Sequence, residues 1–445
     1  MMCRQTGQRI LIKSLMKSFI RSIFALFLAV LARGILRRYA PKIVMVTGSV
    51  GKTSTKDAVA AALSDRGYVR YSKKSYNSEF GLPFTVIGAE NPWENPAAWL
   101  KLFGDALALR FLPSHYPNLL VLEIGADRPG DIARMLRIAQ PDAVVVTRLP
   151  EVPVHVEAYA TPAAVREEEF APAYALEDNM PLIINAEDEY AMTMSARLPA
   201  RVITFGLHAA SAVRIVDPAP HFTEGFPEGM KATLAIGGET YPLVVPGVVG
   251  TPALYAPAAA VATAIALGYA PTEALHGLAS YTPPPGRSRI LNGKDGSVLI
   301  DDSYNSSPAA TEEALKSLNM LAETSGGRRI AVLGDMLELG RYSHEEHERV
   351  GRLVAKQADV LIAVGIRARG IADAAREADM PDASIRTFGT SAEAAAALTQ
   401  EIGAGDIVLI KGSQSIRTER IVEALLFNPA DRSLLARQDA EWKRR

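Results

Sequence analysis

The apolar run Ile43-Val44-Met45-Val46 leads directly into Thr47-Gly48-Ser49-Val50-Gly51-Lys52-Thr53-Ser54, and then into Lys56-Asp57-Ala58-Val59-Ala60-Ala61-Ala62-Leu63. The first piece reads as a buried strand and the last as a helix. A strand, a glycine-rich turn, Lys-Thr and a helix in that order form the layout that wraps a polyphosphate. Gly48 and Gly51 let backbone N–H groups turn inward, and the helix N-terminus adds partial positive charge. Lys52 is placed to reach the outer phosphates, and Thr53 offers a hydroxyl to a magnesium ion. Position 46 is Val, where the longer phosphate-loop spacing has Gly, so the match is to the shorter form Thr-Gly-x-x-Gly-Lys-Thr. Gly48, Ser49, Val50, Gly51, Lys52, Thr53 and Ser54 are the expected nucleotide-binding loop.

The 445 residues suffice for two or three domains. The single cysteine, Cys3, excludes an internal disulfide and a cysteine-built metal site, and fits a reducing compartment. A net charge of −1 hides an asymmetry: residues 1–42 hold nine basic side chains and no acidic one, which leaves 39 basic against 49 acidic in the rest. A body that acidic argues against a general nucleic-acid binder. The basic stretch contains the apolar run 22–32, short of the roughly 20 residues that span a bilayer. Three readings are open for it: an interfacial or marginally spanning anchor, a helix packed on the protein's own body, and a cleaved signal peptide. A nucleotide-binding loop that needs cytosolic ATP speaks against the third; the first, held by apolar burial and anionic lipid, is the expectation. It predicts a cytoplasmic enzyme held to the inner face of the plasma membrane through residues 1–40.

From residue 41 onward, apolar strand-like runs alternate with helical segments, which predicts an α/β fold with a mainly parallel sheet. Expected strands are Leu119–Ile124, Ala143–Thr147, Leu182–Asn185 and Val202–Phe205, followed by a small antiparallel insert between about 210 and 246. An alanine-rich helix is expected over Pro257–Leu267. The run Thr282-Pro-Pro-Pro-Gly-Arg287 suits a hinge. Beyond it, Val298–Ile300, Ile330–Leu333, Val360–Val364 and Ile407–Ile410 alternate with helices as a second α/β unit. The divisions are an anchor-like segment 1–40, a central ATP-binding domain 41–283, a C-terminal domain 284–427 and a polar, peripheral tail 428–445.

Joined to the later segments, the phosphate loop resembles the Mur ligase family, specifically its D-alanyl-D-alanine-adding branch, over residues 41 to about 425. The motifs are Thr47–Thr53; Asn77 with Gly81-Leu-Pro83; Leu122-Glu123-Ile-Gly125-Ala126; Asn185-Ala-Glu-Asp188; and Gly286-Arg287. They continue with Asp301-Asp302-Ser-Tyr304-Asn305-Ser-Ser-Pro308, Leu333-Gly-Asp335-Met-Leu-Glu338-Leu-Gly340 and Lys411-Gly412-Ser413. The resemblance implies a P-loop central ATPase domain and a Rossmann-like C-terminal domain that binds the amine. It implies ATP and Mg2+ as cofactors, and a reaction in which a carboxylate takes the γ-phosphoryl group and an amine then displaces phosphate to give an amide. It also implies roles: Lys52 and Arg287 in catalysis; Asp302 on the ATP ribose; Thr53, Glu123 and His155 on metal; Asn77, Tyr304, Asn305 and Lys411 on substrate. Lys411 has a second reading as a solvated strand-end lysine, and Asp335 and Glu338 as loop caps.

Three departures qualify the resemblance. Where most relatives carry a carbamylated lysine after the His segment, alignment on His155 puts Glu169, which is expected to supply a similar anionic oxygen pair as a metal and catalytic group. The alternative is a solvated acidic helix face in Arg166-Glu167-Glu168-Glu169. The His-Asn usually found near adenine is replaced by Gly250-Thr-Pro252-Ala253-Leu-Tyr255-Ala256, so base recognition is weaker or made differently. About 40 residues precede the phosphate loop where the family has about a hundred for the UDP end of its substrate. The expected activity is ATP-dependent amide-bond formation, adding D-alanyl-D-alanine or a similar amine to a muramyl-peptide acceptor, by a monomer. Two rivals stay open: a different or lipid-linked acceptor, and a degenerate nucleotide-binding membrane scaffold.

Overall fold

The computed structural model describes residues 23–93, 95–439 and 442. Fifteen strands fall into two sheets among these residues. The first holds β1 (Lys42–Thr47), β2 (Val69–Tyr71), β3 (Leu119–Glu123), β4 (Ala143–Val146), β5 (Pro181–Asn185), β6 (Arg201–Gly206), β7 (Val213–Thr223), β8 (Phe226–Ile236) and β9 (Glu239–Pro246). Their spatial order is β2-β3-β1-β4-β5-β6-β7-β8-β9, parallel as far as β7 and antiparallel beyond it. Residues 210–246 are antiparallel as expected, but they are not short pieces. Two strands of 11 residues and one of 8 extend the parallel sheet, because β7 pairs with β6 through Phe205↔Val213.

The strand period explains how one sheet divides two cores. In β1, Val44 and Val46 pack on one side with the helix Lys52–Ala62 and the helix Pro252–Ala266. Ile43 and Met45 pack on the other with helix 23–39, Leu82, Phe84, Leu102 and Phe170. The alanine-rich helix starts five residues earlier than expected, at Pro252, so Pro257 lies inside it.

The second sheet holds β10 (Arg289–Asn292), β11 (Val298–Asp302), β12 (Arg329–Gly334), β13 (Val360–Val364), β14 (Ile385–Phe388) and β15 (Ile407–Lys411). Its order is β10-β11-β15-β12-β13-β14, parallel except for the edge strand β10. The α/β class with two mainly parallel sheets is thus as the sequence predicts.

Described residues after 427 are not wholly peripheral. Leu435 and Ala436 are each 3% exposed, and the segment turns back on the second sheet. Of the expected membrane-contact segment, residues 1–22 lie outside the described residues, and 23–39 form a helix. No described helix is long and apolar enough to cross a membrane.

Candidate active site

The C-terminal strand ends of the two sheets border one cavity of about 550 Å3, the position at which open α/β sheets place ligands. The turn after β1 supplies its floor. Gly48 has φ 119° and Gly51 φ 89°. A Cβ at Gly48 would lie 2.3 Å from Thr147 Oγ1, so position 48 admits no side chain. Gly51 is the N-cap of the helix Lys52–Ala62, whose first N–H groups open toward the cavity. Ser49, Val50, Gly51, Lys52, Thr53 and Ser54 all line it. Lys52 Nζ donates to the Gly48 carbonyl.

Register brings the acidic partner to the loop. Val46 pairs with Glu123 at the ends of β1 and β3. Thr53 Oγ1 donates to Glu123 Oε1 at 3.1 Å and accepts from Arg287 Nη2, reaching across from the second half, at 2.9 Å. Glu123 Oε2 is buried with no hydrogen-bond partner among the described residues, and its nearest cation is Lys56 Nζ at 3.8 Å. An orphaned carboxylate oxygen beside a phosphate-loop hydroxyl fits a Mg2+ ion, which takes one or two carboxylates and fills its other positions with phosphate oxygens and water.

The other sequence-predicted metal residues stand apart from that pair. Among the described residues no three His, Cys, Asp or Glu side chains gather as a metal cluster. Glu169, on the helix Pro162–Tyr174, is 1% exposed and does not line the cavity. It holds the phosphate loop from beneath: Ser49 Oγ donates to Oε2, Lys52 Nζ lies 3.6 Å from Oε1, and Thr47 Oγ1 donates to its carbonyl at 2.5 Å. Burial raises its carboxyl pKa, with Lys52 and Ser49 opposing. Its neighbours point elsewhere. Glu168 accepts from Gly130 N and Ile132 N, and Glu167 from Tyr190 Oη. The solvated-face reading therefore does not hold for Glu169.

His155 takes a left-handed conformation (φ 64°) and lines the cavity. Its Nδ1 pairs with Glu338 Oε2 at 2.8 Å, and its Nε2 lies 3.6 Å from Asp127 Oδ1. Burial acts to lower its pKa, but the Glu338 carboxylate, helped by Asp127, outweighs it and holds the imidazole above its ordinary value. Asp335 and Glu338, alike in the sequence, separate here. Asp335 Oδ1 accepts from Ala368 N at the start of the helix Arg369–Glu377, a structural cap, whereas Glu338 faces the cavity.

From the second sheet, Asp302 and Lys411 end neighbouring strands in register. Lys411 Nζ donates to Asp302 Oδ2 at 2.7 Å and to the Asn305 carbonyl at 3.0 Å, and Ser288 N donates to Asp302 Oδ1 at 3.1 Å. At 2% exposed, Lys411 is not the solvated alternative. Tyr304 carries the Arg287 guanidinium over its ring at 4.3 Å, and its Oη lies 3.4 Å from Ser75 Oγ. Asn305 and Asn77 also line the cavity; a Cβ at Gly125 would lie 2.8 Å from Asn77 Nδ2. Toward the start of the helix Pro252–Ala266 the wall becomes aromatic, with Phe205 and Tyr255 in edge contact at 6.4 Å and Asn185 beside them.

Sequence reasoning misses three groups that support residues of this site from behind. Lys56 is fully buried, donates to the Ser72 carbonyl and pairs with Asp57 at 3.0 Å. Burial pushes Asp57 up to about 6, against the pull of Lys56. Arg437 donates to the carbonyls of Ser303 and Tyr304 and pairs with Glu419 at 3.0 Å. The local signal for Lys56 and Asp57 was their place in the first turns of the helix after the loop; Arg437 had none.

Known proteins are similar to this chain in sequence and fold. Residues 46–226 match the Mur ligase middle domain, and residues 286–414 match the Mur ligase glutamate ligase domain. The UDP-N-acetylmuramoyl-tripeptide–D-alanyl-D-alanine ligase of Mycobacterium leprae is 30% identical over 421 residues, 88% of this chain and 74% of that protein. The protein of the same name from Synechocystis sp. is 29% identical over 397 residues, 89% and 77% of the two chains. The crystal structure of a MurF ligase from Thermotoga maritima in complex with ADP superposes with a TM-score of 0.73 at 26% identity, covering 90% of this chain and 83% of that one. A MurF from Acinetobacter baumannii, 22% identical, shares the fold with a TM-score of 0.72. By sequence and by fold, the chain belongs to the Mur ligase family of ATP-dependent ligases.

Proposed function

We propose that this chain joins D-alanyl-D-alanine to a UDP-N-acetylmuramoyl-tripeptide acceptor, the activity that its relatives' names carry. The observation that supports the reading best is the three-way contact at Thr53, where the phosphate loop, the strand-end carboxylate Glu123 and Arg287 from the second half meet over one cavity. Phosphoryl transfer is chiefly positioning and charge neutralisation, and those are the roles these residues fit. Bound ATP with Mg2+ supplies the phosphoryl group that activates the acceptor carboxylate for attack by the amine. Glu123 and the Thr53 hydroxyl would hold the cation, and Lys52 would turn from the Gly48 carbonyl to the outer phosphates. Arg287, held over the Tyr304 ring, would neutralise charge that develops during transfer. Asp302 would take the ribose, while Asn77, Tyr304, Asn305 and Lys411 would border the substrates.

Glu169 enters this reading as the anion beneath Lys52 and Ser49 that supports the metal site in place of a carbamate, with His155 as a further ligand. The divisions at 40, 283 and 427, the monomeric state, the absence of a nucleic-acid partner and contact of residues 1–40 with the inner membrane face complete it. The test is phosphate release from ATP by the purified chain. Release that requires Mg2+, UDP-muramyl-tripeptide and D-alanyl-D-alanine together is expected. Nucleotide binding with no release when all are present would defeat the proposal.

A further inference from the structure

Two helices on the first half expose apolar stripes that nothing among the described residues covers. Helix 23–39 and the helix Pro96–Phe111 lie side by side. Phe24 meets Trp99 at 5.4 Å, Phe27 meets Phe103 at 5.3 Å, and Arg38 donates to the Arg110 carbonyl at 2.7 Å. Their inner edges are buried at Leu28, Leu31, Ala32, Leu102 and Ala106. Their outer edges are not. On helix 23–39, Ile23, Leu26, Phe27 and Val30 are 51, 65, 45 and 49% exposed, at helical spacing on one face. On the second helix Leu100, Leu107 and Phe111 are 74, 41 and 66% exposed, again on one face. Scattered exposed apolar residues need no explanation, but two adjoining stripes of large side chains mark an interaction surface.

The charge around the stripes selects the partner. Arg33, Arg37, Arg38 and Arg110 border the pair of helices, and the one acidic side chain on them, Asp105, is paired with Lys101 at 2.6 Å. A second copy would bring the same arginines against each other. The chain's first 22 residues bring five more basic side chains and no acidic one. Neither supplies negative charge. We infer that this two-helix face docks on an anionic phospholipid surface, with both helices in the interfacial plane, their apolar stripes entering the acyl boundary and the arginines meeting headgroup phosphates. The surface thus extends beyond residues 1–40 to a second helix some 60 residues later, and it does not depend on the ligase reading.

The test is co-sedimentation of the full chain with vesicles of phosphatidylglycerol and phosphatidylcholine, against vesicles of phosphatidylcholine alone. Binding to the anionic vesicles only, weakened by salt, is expected. The double variant Leu100→Glu/Phe111→Glu, at exposed positions, should keep its melting temperature and lose at least about tenfold in vesicle binding. Undiminished binding by that variant would overturn the two-helix surface while leaving an anchor within residues 1–40 intact. So would a dimer in light scattering that the variant dissociates, with no vesicle binding by the unmodified chain. Loss of ligase activity in solution bears on the catalytic reading alone.

Discussion

Glu169 is the buried carboxylate that faces the phosphate-loop lysine. A carboxylate buried against Lys52 and Ser49 holds the phosphate loop whether or not it also supports a cation. Glu169→Ala is expected to lower the ligase rate by about two orders of magnitude or more, because it removes preorganised charge from a water-poor site. Near-normal turnover would refute any role. Steady-state kinetics at increasing Mg2+ separate the two ways of acting: a loss that excess Mg2+ relieves belongs to metal support, and one it leaves untouched belongs to the loop. Asp301 gives a second prediction at this scale. It is fully buried, one carboxylate oxygen has no hydrogen-bond partner among the described residues, and burial pushes it up to about 6. Because the folded value is raised, its contribution to stability is full below about pH 4 and lost as pH climbs through 6. Asp301→Asn, which cannot ionise, should therefore gain on the parent as pH rises, by on the order of 2 kcal/mol above pH 7. Melting curves for both proteins between about pH 5 and 8 test the sign; parallel curves would contradict it.

At the scale of elements, the C-terminal segment decides how the second half presents Tyr304. Arg437 is 3% exposed, fixes the Ser303 and Tyr304 carbonyls, stands over the Tyr304 ring at 5.5 Å and shares the buried Glu419 with Arg417. Removing one partner of a buried ion pair leaves an uncompensated charge. Arg437→Ala is expected to cost about 3 kcal/mol in urea unfolding and to raise KM for the amine, with Arg437→Lys a poor rescue for want of the planar fork. Asp439→Asn, which breaks the half-exposed Lys74–Asp439 pair at 2.8 Å, should change stability by less than about 1 kcal/mol. Equal effects from the two variants would sink this account of the segment. The same contrast explains what the sequence revealed. The phosphate loop, the central strands and the end of β3 were legible because their geometry is local: a turn, a period, a strand end. Arg437 was not, since its carbonyl partner Tyr304 lies 133 residues away. Lys56 reads as an ordinary helix-surface lysine until the Ser72 carbonyl and Asp57 enclose it. β10 and β14, four residues each at sheet edges, carry too short an alternation to stand out, and β7–β9 read as short pieces because Gly and Pro interrupt strands that bulges keep continuous.

For the whole molecule, the question is what holds the two halves together across the cavity. Besides Lys74–Asp439, two ion pairs of cavity-lining residues bridge them, His155–Glu338 at 2.8 Å and Arg148–Glu313 at 3.2 Å, and Arg287 reaches Thr53. Both pairs are partly solvated, so each contributes a few tenths to about 1 kcal/mol. Singly, either is too weak to decide the arrangement. Together they amount to about 0.5–2 kcal/mol, enough to shift an open–closed equilibrium roughly 2- to 30-fold. Glu313 also takes Lys316 and Glu338 sits on a loop, so replacing both by Gln leaves each half's own core intact. The double variant Glu313→Gln/Glu338→Gln is expected to show a larger radius of gyration than the parent without nucleotide, by small-angle scattering. It should also show a raised KM for ATP, because a binding-competent state that is less populated lowers apparent affinity in proportion. At saturating ATP and Mg2+ the ligand's own contacts restore closure, and kcat should recover most of the parent value. A radius and a KM both unchanged would mean that Arg287, Tyr304 and the apolar contacts hold the halves without these two pairs. A kcat that stays low under saturation would mean instead that Glu338 acts on the chemistry through His155 and not on closure.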